Sequence, residues 1–291
     1  MHIRKHCRGI RMIGLGLSRI AFAALVVCGL SAGLVRASTF QTVELTCPYD
    51  GTAFKFLQQG SGFVADTTLD LMPFGTSFGS WPLAECPTNG FVFFKPNISA
   101  GEIEALRSFV LSDEYRALKS ETLYYRAARL MEKTGAPHNE ISTMLLQASW
   151  EAIMLALKEQ IIANPKIMEE IQAARGDASE LGERLLKMLR EASSEQYRRY
   201  ATELLARLPL DIQAEKDEKA RAGLQLLTGE LLRRLQQFDK ASEHFESLVK
   251  EFKPGSNEAK IAQFQLKLIA AKDPISHWTS DALGLPKRPN R

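Results

Sequence analysis

From Ser99 onward, apolar residues recur every three or four positions. Ile141, Leu145, Ala148, Ala152 and Leu155 share one stripe, as do Ala241, Phe245, Leu248 and Phe252; this period predicts amphipathic helices that must bury one face against a neighbour. Ser99 with Glu102 three residues on is a capping box opening the first of them. Gly135-Ala136-Pro137, Asn164-Pro165, Gly176-Asp177, Leu208-Pro209 and Lys253-Pro254-Gly255 interrupt the pattern, which predicts about eight helices joined by short links, and hence antiparallel neighbours. Residues 39–98 have another rhythm. Residues 43–46, 53–57 and 91–94 hold the β-branched and aromatic side chains of short strands, while Asp50-Gly51 and Asn89-Gly90 supply the positive φ of tight turns. The predicted fold class is mainly α, a helical hairpin array preceded by a small β-rich module.

Ahead of both lies a segment built for export. Basic residues run to Arg19, residues 20–35 are apolar, and Val35-Arg36-Ala37 places small side chains where a signal peptidase reads. The apolar run is shorter than the roughly 20 residues needed to span a bilayer core, so a cleaved signal peptide over 1–37 is expected, with the cut near Ala37-Ser38. That reading puts the mature chain in the periplasm or outside the cell, with no stable membrane span. The chain then divides into the signal, a β module over 38–98, a helical domain over 99–273 and a flexible tail over 274–291 in which Trp278 offers an anchor to the last helix.

Charge changes with cleavage. The 291 residues are 45% hydrophobic and 24% charged, enough to build a core, and carry a formal +3. Six of the basic residues, Arg4, Lys5, Arg8, Arg11, Arg19 and Arg36, leave with the signal, which contains no acidic residue, so the mature chain is slightly acidic. A nucleic-acid partner is therefore not expected. Cys7 and Cys28 leave as well, and Cys47 and Cys86 remain as a pair in an oxidising compartment.

Those two cysteines head similar segments, Cys47-Pro48-Tyr49-Asp50-Gly51 and Cys86-Pro87-Thr88-Asn89-Gly90. Each resembles a zinc-ribbon knuckle, C-P-x-C-G, with the second thiolate replaced by Asp50 or Asn89. Two sulfurs remain where a tetrahedral site uses four ligands, so Cys47, Asp50, Cys86 and Asn89 are read as degenerate knuckle positions and not as a metal site. Turns that still face each other as in a ribbon bring the surviving sulfurs together, which predicts a Cys47–Cys86 disulfide in place of the metal. No cofactor is expected.

Gly229, Phe238, Ala241 and Phe245 fall in the register of a tetratricopeptide repeat, with Leu248 in place of the usual alanine and Pro254 displaced by one. The knuckles, Ala148-Ser149-Trp150, and residues 229–235 leading into Phe238-Asp239-Lys240-Ala241 resemble a bacterial domain-of-unknown-function family with C-P-x-C-G knuckles and tetratricopeptide-like helices. The resemblance covers about residues 45–272. It implies the fold and no particular activity. The signal peptide and single cysteine per knuckle depart from the family pattern.

Arrays of this kind bind protein partners along one face. Tyr125, Arg126, Arg129, Arg198, Arg199, Glu230, Arg233 and Arg234 lie on the first helices of pairs, and are read as lining a partner-binding groove for an acidic segment or chain terminus of another envelope protein. An envelope assembly scaffold with two partners is the alternative. An enzyme is disfavoured: His138, His244 and His277 show no metal-ligand spacing, and the mature chain has no G-x-S-x-G motif or phosphate loop.

Overall fold

The computed structural model describes residues 39–76, 79–173 and 179–285 of the chain. The expected signal peptide with its expected cleavage point, the expected Gly176-Asp177 break and residues 286–291 lie outside the described residues.

Strand β1 (Thr39–Thr46) pairs antiparallel with β2 (Ala53–Ser61), and β3 (Val64–Thr67) with β4 (Pro73–Gly75), giving two two-stranded sheets. The first hairpin closes on a knuckle turn. Cys47 N–H donates to the Thr52 carbonyl at 2.9 Å, Gly51 N–H to the Cys47 carbonyl at 3.0 Å, and Asp50 Oδ1 accepts from Thr52 N–H at 3.0 Å. The second turn repeats this wiring: Cys86 N–H to the Phe91 carbonyl at 2.8 Å, Gly90 N–H to the Cys86 carbonyl at 2.9 Å, and Asn89 Oδ1 accepting from Phe91 N–H at 2.9 Å. Gly51 and Gly90 take φ of 72° and 74°, the left-handed conformation that glycine adopts without strain.

Residues 91–94 do not form the expected third strand. Their ladder is reduced to one bridge between Glu85 and Val92, and Phe91, Val92 and Phe94 are buried instead. Phe91 meets Tyr49 edge-on at 5.4 Å and Phe93 at 5.3 Å. Strand propensity and core burial select the same aromatic residues. Here packing beneath the knuckles uses them.

The rest is helical: α1 (Ala100–Val110), α2 (Asp113–Ala117), α3 (Leu123–Lys133), α4 (His138–Ile162), α5 (Pro165–Ala173), α6 (Ser179–Glu191), α7 (Glu195–Ala214), α8 (Glu218–Arg234), α9 (Phe238–Glu251), α10 (Asn257–Ala270) and α11 (Thr279–Leu283). The capping box at Ser99 and Glu102 is present. These eleven helices exceed the expected number because several ends carry neither glycine nor proline. Ser112, Thr122, Ser194, Asp217 and Ser256 each cap the next helix by accepting a hydrogen bond from the N–H three residues on. Pro209, expected as a break, lies inside α7. Its side is exposed, so water can reach the carbonyl that lacks a proline N–H. No described helix is long and apolar enough to cross a membrane.

Helix α4 packs against α3 and α7, α7 against α8, α8 against α9, and α9 against α10. One close approach is set by a glycine. A Cβ on Gly229 of α8 would lie 2.3 Å from Phe245 Cζ on α9, so only a residue without a side chain lets that ring seat there. Phe245 and Ala241 are fully buried in a second cluster with Leu232, Leu248, Ala262 and Ile269. The main core runs from Cys47 and Phe91 through Leu130, Leu145 and Tyr200 to Leu231. The boundary near residue 98 thus separates two kinds of secondary structure but not two cores.

Residues 274–285 are not a loose tail. After α10 the chain turns back at Asp273 and crosses to the β region, where Leu69 N–H donates to the His277 carbonyl at 2.9 Å. There Trp278 stacks obliquely on Phe74 at 4.9 Å, and α11 packs against β3. This strap ties the C-terminal helices to the β sheets.

Candidate functional site

The strap is held by a charge cluster at the end of α8. Glu230 and Arg233, one turn apart, are both 0% exposed. Arg233 Nη2 donates to Glu230 Oε1 at 2.8 Å and Oε2 at 2.7 Å, its Nε to Gln265 Oε1 at 2.8 Å, and its Nη1 to the carbonyls of Asp273 and Ile275. Gln265 Nε2 returns a hydrogen bond to Glu230 Oε2 at 2.6 Å. Burial pushes the Glu230 carboxyl upward, and the Arg233 and Arg234 guanidiniums pull against it. The fork of an arginine suits this task, because it satisfies a carboxylate and two strap carbonyls at once.

A second arginine grips the strap from α6. Arg190 Nε donates to the Ser276 carbonyl at 2.8 Å, and its Nη2 lies 3.1 Å from His277 Nδ1. His277 Nε2 lies 2.9 Å from Asp273 Oδ2. An arginine can only donate, so Nδ1 accepts and Nε2 carries the proton, which is the neutral tautomer. Burial holds His277 below its ordinary pKa of 6.5; Asp273 opposes that, while Arg233 and Arg190 reinforce it. The ring of Phe264 covers its remaining side at 5.8 Å.

A folded-state pKa held below the unfolded value means that the unfolded chain binds the proton better. The stabilisation is then complete above about pH 6.5 and is lost as pH falls below it. We expect the hydrogen-exchange protection of residues 273–285, corrected for the slower intrinsic exchange at low pH, to fall between pH 7.5 and pH 5 more than that of α7 does. In the variant H277Q, which stays neutral, that difference should be absent. An equal response in both proteins would dismiss His277 as its source.

Beside the cluster lies a cavity of about 210 Å³, lined by Arg190, Glu191, Arg198, Arg234, Gln236 and strap residues including Ile275. Arg234 is 6% exposed, sits over the Tyr197 ring at 5.1 Å, and has an Nη1 without a hydrogen-bond partner. Asp70 Oδ2 and the Tyr197 hydroxyl nearby also lack partners. Asp70 is fully buried at the tip of the β3–β4 hairpin, and its carbonyl accepts from Trp150 Nε1 at 3.1 Å.

The residues expected to line one groove fall into three places. Arg126 is 3% exposed and bolts α3 to the second knuckle, through Glu85 at 2.7 Å and the Gly90 carbonyl, over the ring of Tyr115 at 5.2 Å. Tyr125 stacks on Tyr200 at 4.4 Å, flanked by Arg129 at 4.7 Å and Arg199 at 5.3 Å. Arg129 pairs with Glu203 and Glu132, and Arg199 with Glu121. Burial works to raise Glu121, but hydrogen bonds from Arg199 and Tyr200 outweigh it and hold the carboxyl below its usual range. These contacts seal α3 to α7.

Glu230, Arg233 and Arg234 form the third place, inside the protein. An open groove built on Arg126, Glu230, Arg233 and Arg234 is therefore corrected. Their forks find carboxylates, carbonyls and aromatic faces within the chain, which a helix-face pattern does not reveal. Arg198 alone of the set is both solvent-exposed and on the cavity. Arg190, Asp70 and His277 were not anticipated in this role, since their neighbours are distant in sequence.

The knuckles meet as expected. Cys47 and Cys86 form a disulfide with Cα atoms 5.5 Å apart, both 1% exposed. Asp50 Oδ2 accepts from Thr88 Oγ1 and, at 3.3 Å, from Asn89 Nδ2, so the equivalent positions of the two turns bind each other across the gap. Hydrogen bonds, first from Thr88 and then from the Thr52 backbone, lower the Asp50 carboxyl. This donor set does not fit a zinc ion: both sulfurs are spent on one another, and Asp50 and Asn89 are committed to the turns. Among the described residues no group of three or more His, Cys, Asp or Glu side chains converges as a metal site.

Comparison with protein-family models, with curated proteins and with solved structures gives no match to this chain.

Proposed function

We propose that the protein is an exported, non-enzymatic interaction module of the bacterial cell envelope. Its body reads as a tetratricopeptide-like hairpin array, and its β region as a zinc ribbon whose metal has given way to a disulfide. One observation carries the reading: Gly229 against Phe245, with Ala241 beside them, reproduces the interlocking of small and large residues that the repeat register requires. The paired knuckle turns and the resemblance to the C-P-x-C-G family point the same way, and the buried cystine suits an oxidising compartment. An array of this kind works by presenting helix faces to a partner.

One such face on α4 carries exposed apolar side chains among its polar ones. Leu155 and Ile162, two turns apart on one side of α4, are 37% and 55% exposed. A photo-crosslinking residue at either position should yield the same protein adduct in envelope fractions, and one at the exposed Lys250 of α9 none. Adducts from all three positions alike, or from none, would overturn the reading. The scaffold alternative requires a second, different adduct from the β module.

A further inference from the structure

We infer that the cavity between the α6–α7 turn, the α8–α9 turn and the strap is a binding site for a small oxyanion, a phosphate or a carboxylate. Arg190, Arg198 and Arg234 come to it from three different helices. Arg234 carries the inference. Its side chain is more than nine-tenths buried, yet Nη1 has no hydrogen-bond partner and no carboxylate pairs with it among the described residues. Of the nearby carboxylates, Glu230 gives both oxygens to Arg233, while Asp70 gives Oδ1 to Thr68 and keeps Oδ2 without a hydrogen bond, so it acts on Arg234 through its field and not as an ion pair. A guanidinium taken out of water without a hydrogen-bonded carboxylate is under-solvated, and an anion in the adjoining space supplies the oxygens that Asp70 and Glu230 do not.

Water alone would solvate these groups without neutralising them. A cavity of about 210 Å³ exceeds several times the roughly 30 Å³ share of one water, which leaves room for an oxyanion with part of its shell. Arg198 supplies the outer fork, exposed and without an ion pair among the described residues. Arg190 has committed Nε and Nη2 to the strap, leaving Nη1. Glu191 also faces the space; its one ion pair is with Lys187 at 3.9 Å, and it limits the charge an occupant can bring. Planar forks arranged in this way match the oxygens of a carboxylate or phosphate. Because Ile275 lines the same cavity, an occupant also braces the strap.

The test is a thermal-unfolding titration of the whole mature protein with sodium phosphate and with sodium succinate, each against sodium chloride at equal ionic strength to remove general screening. At least one oxyanion should raise the midpoint in a saturable way, and the same ion should slow hydrogen exchange over residues 273–283. In R198E, an exposed substitution that leaves the buried cluster intact, apparent affinity should fall at least tenfold. A stronger response to phosphate assigns the site to phosphate-bearing ligands, and a stronger response to succinate assigns it to carboxylates. Responses no larger than that of chloride, or an R198E protein titrating like the parent, would refute the site. R234M is the second variant: if it folds, it should lose the response entirely.

Discussion

Replacing Cys47 and Cys86 together by serine should lower the stability of the protein by about 2–5 kcal/mol, with the β region releasing first. The bond closes a loop of 39 residues, for which the chain-entropy model gives about 4 kcal/mol. Strand pairing adds little to that constraint, and the loop's other ties are the strap at Leu69 and Phe74, Trp150 on Asp70 and the Arg126 bolt. Its sheets have two strands each, and β1 is exposed along most of its length. Two-stranded sheets are marginal in water. The cystine also belongs to the buried core that holds Phe91 and Met72, so serine hydroxyls there would lack the sulfur's packing and introduce polar atoms at 1% exposure. Because the core is continuous into α1 and α3, the loss should register in global urea unfolding as a lower midpoint. Hydrogen exchange should locate it: residues 43–57 lose protection in the variant while α9 and α10 keep theirs. An unchanged midpoint would mean that the knuckle hydrogen bonds and the Arg126 bolt hold the turns without the sulfurs.

The features legible in the sequence share one property, that their chemistry is local. Asp50-Gly51 and Asn89-Gly90 specify their turns through their own side chains and backbone freedom, so both knuckles and their pairing follow from ten residues. The Ser99 cap, the Gly135 and Pro254 breaks, the α9 stripe, and the α4 stripe as far as Ala152 are local in the same sense, whereas Leu155, expected on the buried α4 stripe, lies exposed. Misreadings arise where distant partners decide. Phe91 and Phe94 satisfy a strand pattern, but the helices beneath them claim their rings. The arginines are the clearest case. Arg126, Arg233 and Arg234 look like solvated helix faces until Glu85, Gln265, the strap carbonyls and Tyr197 arrive from elsewhere in the chain. Arg233 reaches residues 32 and 42 positions away, separations at which no periodicity speaks. The strap was hidden for the same reason: its residues are held by backbone carbonyls, and those leave no trace in side-chain composition.

The buried pair offers the sharpest test of what these arginines do. In R233M, Glu230 keeps its burial and loses its bidentate partner, and the carbonyls of Asp273 and Ile275 lose their donors. We expect a cost of about 3–5 kcal/mol, the range for stranding one member of a buried ion pair. Removing both charges should cost less. In E230L/R233M no ion is left in the core, and similar apolar volume fills the space between α8 and α10, so the double variant should be more stable than R233M despite carrying one more substitution. Stability and strap order then separate. Both variants lack the fork that holds the strap carbonyls, so exchange over residues 273–278 should be fast in each, whatever the global midpoint. If the pair served only to anchor α8 in the core, the double variant would recover both quantities together. A recovered midpoint with a loose strap instead identifies Arg233 as the clasp of the strap, and Glu230 and Gln265 as the groups that hold the clasp in position.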